Sequence, residues 1–280
     1  MNHQLIELSE EELAKLKKLE MYLFEHLKKV CDEHNLRFWA GFGTLLGAVR
    51  HQGFIPWDDD MDFYMPCEDY FRLIQIMAER PDKDIDIEVA CPPFHSYRSY
   101  MKIKLRGTRF VEDSAPLGSN NEGDEVFIDI FPLFSLPESG SRKRIIKKYL
   151  FLQNKASCYF RRRRFLGKMK KAFYLLWVPW ITPSTAARRI QQLIRECSVL
   201  YKDSNWLTAE GMDIYQKHAF DETRFLPFEG TSIPVPSGYD ELLTVCYGDY
   251  MELPPVEKRK SVHFLREISF GEWEKRIETK

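Results

Sequence analysis

Apolar positions along the chain change their period several times, and each change marks an element. Leu13, Leu16, Leu23, Leu27 and Val30 recur at helical spacing, and Ser9 with Glu12 makes a capping-box pattern, so 9–34 is expected as an amphipathic helix. After Asn35, 36–40 reads as a short strand, and Gly41, Gly43 and Gly47 mark a turn into a short helix starting near Thr44. Residues 61–65 read as a strand, and CEDYFRLIQIMAER (67–80) as a helix closed by Pro81. DIDIEVA (84–90), SYMKIKLR (99–106) and EVFIDIF (125–131) alternate cleanly, which predicts several strands separated by turn residues. From about Glu138 the pattern turns helical, over 138–161, 184–202 and SGYDELLTVCYG (237–248), the last opening on a Ser-x-x-Asp cap. The expected class is α/β or α+β: a mixed sheet with an N-terminal helix over 1–136, then a helical C-terminal half over 137–280.

Composition narrows the picture. With 280 residues, 44% hydrophobic and 14% aromatic, the chain can bury a large core. A formal net charge of -1 argues against a surface built for nucleic acid, so no nucleic-acid partner is expected. The six cysteines stand singly, without the spacing of a disulfide framework or a zinc site, which fits a reducing compartment. MNHQLIELSEEELAKL lacks the apolar core of a secretory signal, and no run approaches the ~20 apolar residues of a membrane span. A cytoplasmic location is expected.

The candidate chemistry sits in WDDDMDF (57–63), where Asp58, Asp59, Asp60 and Asp62 crowd between aromatic residues. Burying any of these carboxylates without a partner costs several kcal/mol, roughly more than a hydrogen bond returns. On a strand, Asp60 and Asp62 would share a face about 7 Å apart while Met61 and Phe63 enter the core. Asp129 stands alone in EVFIDIFPL, with Val126, Ile128 and Ile130 on one face and Phe127 and Phe131 beside it on the other. All-oxygen ligation of this kind suits Mg²⁺ or Mn²⁺. Upstream, Gly43 and Thr44 open a helix whose free N–H groups suit a phosphate. Two plainer readings compete: a solvated Asp-rich turn, and a calcium loop, for which the D-x-D-x-D-G spacing is missing.

FGTLLGAVRHQGFIPWDDDMDF (42–63), FIDIFPL (127–133) and PVPSGYDELLTVCYGDYMELPP (234–255), followed by Lys258, Arg259 and His263, resemble the LicD family. That family is a branch of the nucleotidyltransferase-fold superfamily and includes the fukutin-related proteins. The resemblance implies a nucleotidyltransferase-like catalytic core in 1–136, with 137–280 completing the site. It also implies that Gly43 and Thr44 contact nucleotide phosphates and that Asp60, Asp62 and Asp129 hold two metals. The implied activity is transfer of a phospho-alcohol, phosphocholine from CDP-choline in the best-known members, to a hydroxyl of a cell-surface glycan such as lipopolysaccharide, teichoic acid or capsule, or its lipid-linked precursor. CDP-ribitol or CDP-glycerol is the alternative donor. A membrane-surface binding protein that kept the fold and lost the chemistry is the alternative of another class. Asp129 serves either as metal ligand or as general base. Asp58 and Asp59 either orient the turn or stand behind the metal ligands, with Trp57 nearby; His51, Lys258 and His263 are either contacts of the phosphates or acceptor or plain surface residues.

Two basic features remain. Lys102, Lys104 and Arg106 share one strand face, which is either solvated or turned to the donor's diphosphate, where Lys104 and Arg106 would be the contacts. Arg161 to Arg164, Lys168, Lys170 and Lys171 run into AFYLLWVPWI, so 161–181 is either an interfacial contact with the inner face of the membrane or a buried helix end.

Overall fold

The computed structural model describes residues 6–94, 96, 98–112, 125–157, 181–211, 213–261, 263 and 265–278. It is a mixed α+β fold built on a seven-stranded sheet. The helix α1 (Glu10–His34) carries the expected capping box, Ser9 and Glu12 bonding each other's backbone reciprocally, and ends on Asn35 in the left-handed conformation. After β1 (Trp39–Ala40), α2 (Phe42–His51) leads into the aspartate turn, followed by β2 (Asp62–Pro66) and α3 (Cys67–Glu79). Then come β3 (Ile85–Glu88), β4 (Met101–Leu105), β5 (Arg109–Glu112) and β6 (Phe127–Leu136).

The main strands run in the order β1-β2-β6-β4-β3. Only β2 and β6 are parallel; the other neighbours are antiparallel. Met61, Phe63, Met65, Met101, Ile103, Leu105, Ile128 and Ile130 have no solvent exposure and belong to the main core together with α1. Phe24 of α1 stacks on Phe63 with ring centroids 5.6 Å apart. The strand expected at 125–131 runs on to Leu136. Pairing with β4 stops at Ile130, so Pro132 falls where that side of β6 has no partner to miss its N–H.

The C-terminal half departs most from its expected helical character. Helices α4 (Arg142–Ala156) and α5 (Pro183–Leu200) form there and bury a second core with Phe134 and Leu136 of β6. Strands follow: β7 (Trp206–Thr208) extends the main sheet from β6, β8 (Tyr215–Gln216) pairs with β7, and β9 (Thr223–Phe228) with β10 (Thr231–Pro236) makes a hairpin. β7 and β8 are too short to show a period, and Pro227, Pro234 and Pro236 mask the hairpin's alternation. Its turn, Glu229-Gly230, has positive φ at both residues, the backbone a two-residue hairpin demands. Helix α6 (Tyr239–Tyr247) starts without a side-chain cap: Gly238 precedes it and the Ser237 hydroxyl donates to the Ala219 carbonyl, so the expected Ser-x-x-Asp cap does not form. Finally β11 (Leu265–Ser269) pairs with β5, and α7 (Trp273–Glu278) closes the described chain. No helix among the described residues is long and apolar enough to cross a membrane. The basic and aromatic run over 161–180 lies outside the described residues; Ile181 is buried.

One polar residue lies within the core face of α1. Glu20 is 1% exposed, its Oε2 has no hydrogen-bond partner among the described residues, and burial, then the charges of Asp60, Asp59 and Asp58, push its carboxyl well above the usual range. A carboxyl raised in the folded state costs nothing below its unfolded pKa. Above that value the unfolded chain has given up the proton while the folded chain keeps it, so stability falls as pH rises. Glu20→Gln is expected to remove this slope. Its stability gain over the native protein should grow between pH 5 and pH 8, by up to about 1.4 kcal/mol per pH unit, as urea denaturation at both values will show.

Candidate active site

The site begins as a row across the sheet. Asp62 of β2 is the register partner of Asp129 of β6, Asp129 that of Lys102 of β4, and Lys102 that of Glu88 of β3. Register partners point to the same side, so these four form a charged row on the face opposite Phe63 and Ile128. β2 starts at Asp62, so Asp60 sits in the approach to the strand rather than on it.

Neighbouring segments fix that approach. Gly41 N–H donates to the Asp62 carbonyl and the Asp62 N–H donates to Thr44 Oγ1 at 2.8 Å, locking the start of α2 to the start of β2. Thr44 therefore holds the strand backbone with its lone pairs and keeps its own proton for another partner. A Cβ on Gly43 would lie 2.6 Å from Asp58 Oδ2, so the missing side chain is what lets this carboxylate lie against the first turn of α2. Lys17 donates to the carbonyls of Ile55 and Pro56, and the hairpin turn contributes Glu229, which accepts from the Phe54 N–H at 3.0 Å.

From the other end of the chain, Ser261 donates to Asp59 Oδ2 and His263 Nδ1 lies 3.1 Å from Asp59 Oδ1. His263 Nε2 is 4.0 Å from Asp60 Oδ2. Burial works against a charged His263, but the Asp59 hydrogen bond and the charges of Asp60 and Asp59 outweigh it and raise its pKa to about 9. Asp59, 1% exposed, is thus spent on the C-terminal segment.

Asp129 is 6% exposed. Lys102 Nζ lies 3.2 Å from its Oδ1 and donates to Oδ2 at 3.4 Å, and it sits 2.8 Å from the Phe127 ring centroid. Oδ1 receives charge from this pair but no hydrogen bond. Burial raises the pKa of Asp58, Asp60, Asp62 and Asp129. Asp60 adds to the rise at Asp58 and Asp62, whereas His263 opposes it at Asp60 and Lys102 opposes it at Asp129. Lys17 likewise opposes it at Asp58 and Arg98 at Asp129, yet all four carboxyls stay raised, an excess of negative charge that a cation would relieve.

The chemistry of the donor set fits a hard divalent ion: the clustered side chains are carboxylates, and among the described residues Asp129 Oδ1 is buried with an ion pair to Lys102 but no hydrogen bond. Among the described residues, the trio with donor oxygens all within 4.8 Å of one another is Asp58, Asp59 and Asp60. That is not the trio Asp60, Asp62 and Asp129 expected from the sequence. Asp59 belongs to both the tight trio and the Ser261–His263 contact, which takes both its oxygens.

The remaining sequence candidates scatter. Lys104 is buried beside Glu88 at 3.6 Å, and with Lys102 at 2% exposure the stripe is no solvated face at these two positions. Arg106 continues beyond β4, bonded to Asp86 and to the Ile85 carbonyl, about four residues or 13 Å along from Lys102. His51 ends α2, accepting from Arg50 and meeting the Trp57 ring edge-on at 6.4 Å; Trp57 in turn lies under the Arg259 guanidinium. Lys258 is exposed. Glu210 is an unforeseen member: it lies after β7 in a turn pinned by Thr208, and burial, then Asp129, raises its carboxyl to about 7. Tyr247 also joins the surroundings, its hydroxyl pKa raised by burial and by Cys246, Asp62, Asp58 and Asp60.

Comparison with known proteins meets this geometry. A family model described as LicD/FKTN/FKRP, nucleotidyltransferase domain, matches residues 35–180, which span α2, the aspartate turn, β2 and β6. The lipopolysaccharide cholinephosphotransferase LicD of Haemophilus influenzae is 28% identical over 257 residues, 86% of this chain and 92% of that protein. The ribitol 5-phosphate transferases FKRP of mouse and human are each 35% identical over 57 residues, 20% of this chain and 12% of theirs. An uncharacterized Rickettsia prowazekii protein, RP689, is 40% identical over 82 residues, 27% of this chain and 31% of its own. With the matched model covering more than half of its length, the chain belongs to the LicD/FKTN/FKRP family of nucleotidyltransferase domains.

Proposed function

We propose that this protein is a divalent-metal-dependent phosphotransferase that moves a phospho-alcohol from a CDP-linked donor to a hydroxyl of a cell-surface glycan or its lipid-linked precursor. The observation that carries this reading is the register pairing of Asp62 with Asp129 on adjacent parallel strands, with Asp60 and His263 at their edge. Asp60, Asp62 and Asp129 would hold Mg²⁺ or Mn²⁺, since Asp59 is engaged by Ser261 and His263. Such ions neutralise charge on the donor's diphosphate and on the departing CMP. Gly43, Thr44 and the first turn of α2 would seat the phosphates, with the Thr44 proton free to donate. The acceptor oxygen attacks the phosphorus bearing the alcohol, the bond from that phosphorus to the CMP oxygen breaks, and with Asp129 on the metal the hydroxyl proton passes to Glu210.

Phosphocholine is the favoured group, because the cholinephosphotransferase relative aligns along 86% of the chain. Ribitol phosphate is the second reading, favoured by the shorter FKRP matches. We place the reaction at the cytoplasmic face of the membrane, with 1–136 as the catalytic core and 137–280 completing it; His263, Ser261 and Glu210 support that division of labour. The test is CMP release from CDP-choline, CDP-ribitol and CDP-glycerol with Mg²⁺ and glycan acceptors. CMP should form fastest from CDP-choline and stop on chelation. No CMP from any donor would leave a binding protein in its place.

A further inference from the structure

The face that carries Asp129 continues as an alternating chain of buried and half-buried charges. Asp129 meets Lys102 at 3.2 Å, Lys102 meets Glu112 at 3.8 Å, and Glu112 meets Arg98 at 4.0 Å. Arg98 meets Glu88 at 3.7 Å, and Glu88 meets Lys104 at 3.6 Å. Three anions face three cations, and Lys102 stands between two of the anions on strands β5 and β6. Its side chain is 3% exposed and rests on the Phe127 ring, with Asp129 and Glu112 both within 3.8 Å of its ammonium.

We propose that Lys102 is a place-holding cation for the metal site: it compensates Asp129 while no metal is bound, and passes to Glu112 when a divalent ion takes Asp129. This rests on the metal-dependent reading above. A buried Asp129 with no cation would cost the fold dearly, and Lys102 meets that need. The same ammonium repels an arriving ion, so Lys102 lowers metal affinity as it supports the metal-free fold. Glu112 does the reverse. Already within 3.8 Å of the ammonium, it receives Lys102 and makes its release less costly. Lys102 is thus a positioning residue whose two effects have opposite signs, which a residue needed only for packing would not show.

The experiment is Mn²⁺ titration of the purified full chain, followed by electron paramagnetic resonance, together with thermal denaturation of the metal-free protein. Lys102→Met should bind Mn²⁺ about tenfold more tightly or better while its metal-free form melts several degrees lower. Glu112→Gln should bind Mn²⁺ about tenfold more weakly. If Lys102→Met does not fold, Lys102→Gln and Glu112→Gln carry the same comparison. Unchanged or weaker Mn²⁺ binding on loss of Lys102, or unchanged binding on loss of Glu112, overturns the role. Asp62→Asn is the control: if the native chain binds no Mn²⁺ that this variant loses, the metal-dependent reading itself falls, and the place-holder with it.

Discussion

Asp62→Asn will cut CMP release by about a thousandfold while leaving the melting temperature of the metal-free protein unchanged or higher. The two effects separate because the side chain has a different role in each state. In the reaction, one carboxylate fewer on the metals removes several kcal/mol of charge stabilisation, and about 1.4 kcal/mol is a tenfold rate. In the resting fold, burial and the charges of Asp60 and Asp129 already weigh against an ionised Asp62, so a neutral side chain of the same shape relieves the repulsion. The Thr44 contact survives because it uses the Asp62 backbone N–H. Initial rates and thermal denaturation on one preparation check both signs.

Asp59→Ala is expected to act the other way, through the fold. Asp59 is the buried anchor of the C-terminal segment, receiving Ser261 and His263. Removing one partner of a buried charge pair strands the other, at a cost of about 3 kcal/mol or more. Chemical denaturation should show that loss. In a double-mutant cycle, His263→Ala should cost much less once Asp59 is gone, with a coupling of about 1 kcal/mol or more. Additive losses would mean that the two residues do not act as a pair.

Much of this arrangement is legible in the sequence because it rests on short-range rules. The Ser9–Glu12 box and the alternation in SYMKIKLR each state a local geometry, and the geometry forms; of the three glycines only Gly41 precedes α2, which starts at Phe42 and takes Gly43 and Gly47 into the helix. Asp129 stands out because an apolar strand has no local use for a carboxylate. What the sequence conceals is what the chain brings from afar. Nothing near Lys102 in sequence says that it faces Asp129, because the β4–β6 register is set by tertiary pairing. Glu210 near Asp129, Glu229 at Phe54 and Ser261 at Asp59 all come from segments whose own pattern is weak: short strands, a proline-rich hairpin and an irregular C-terminal stretch. Glu20 was readable in principle, since 16, 20, 23 and 27 fall on one helical stripe and only one of them is charged.

Anomalous scattering at the manganese edge, from crystals of the native chain soaked with Mn²⁺ and CDP-choline, tests the central claim most directly. The expected result is a peak at roughly 2.0–2.2 Å from carboxylate oxygens of both Asp62 and Asp129, with Asp60 as a further ligand and Lys102 turned toward Glu112. A peak held by Asp58, Asp59 and Asp60 alone, or none within reach of Asp129, would contradict it.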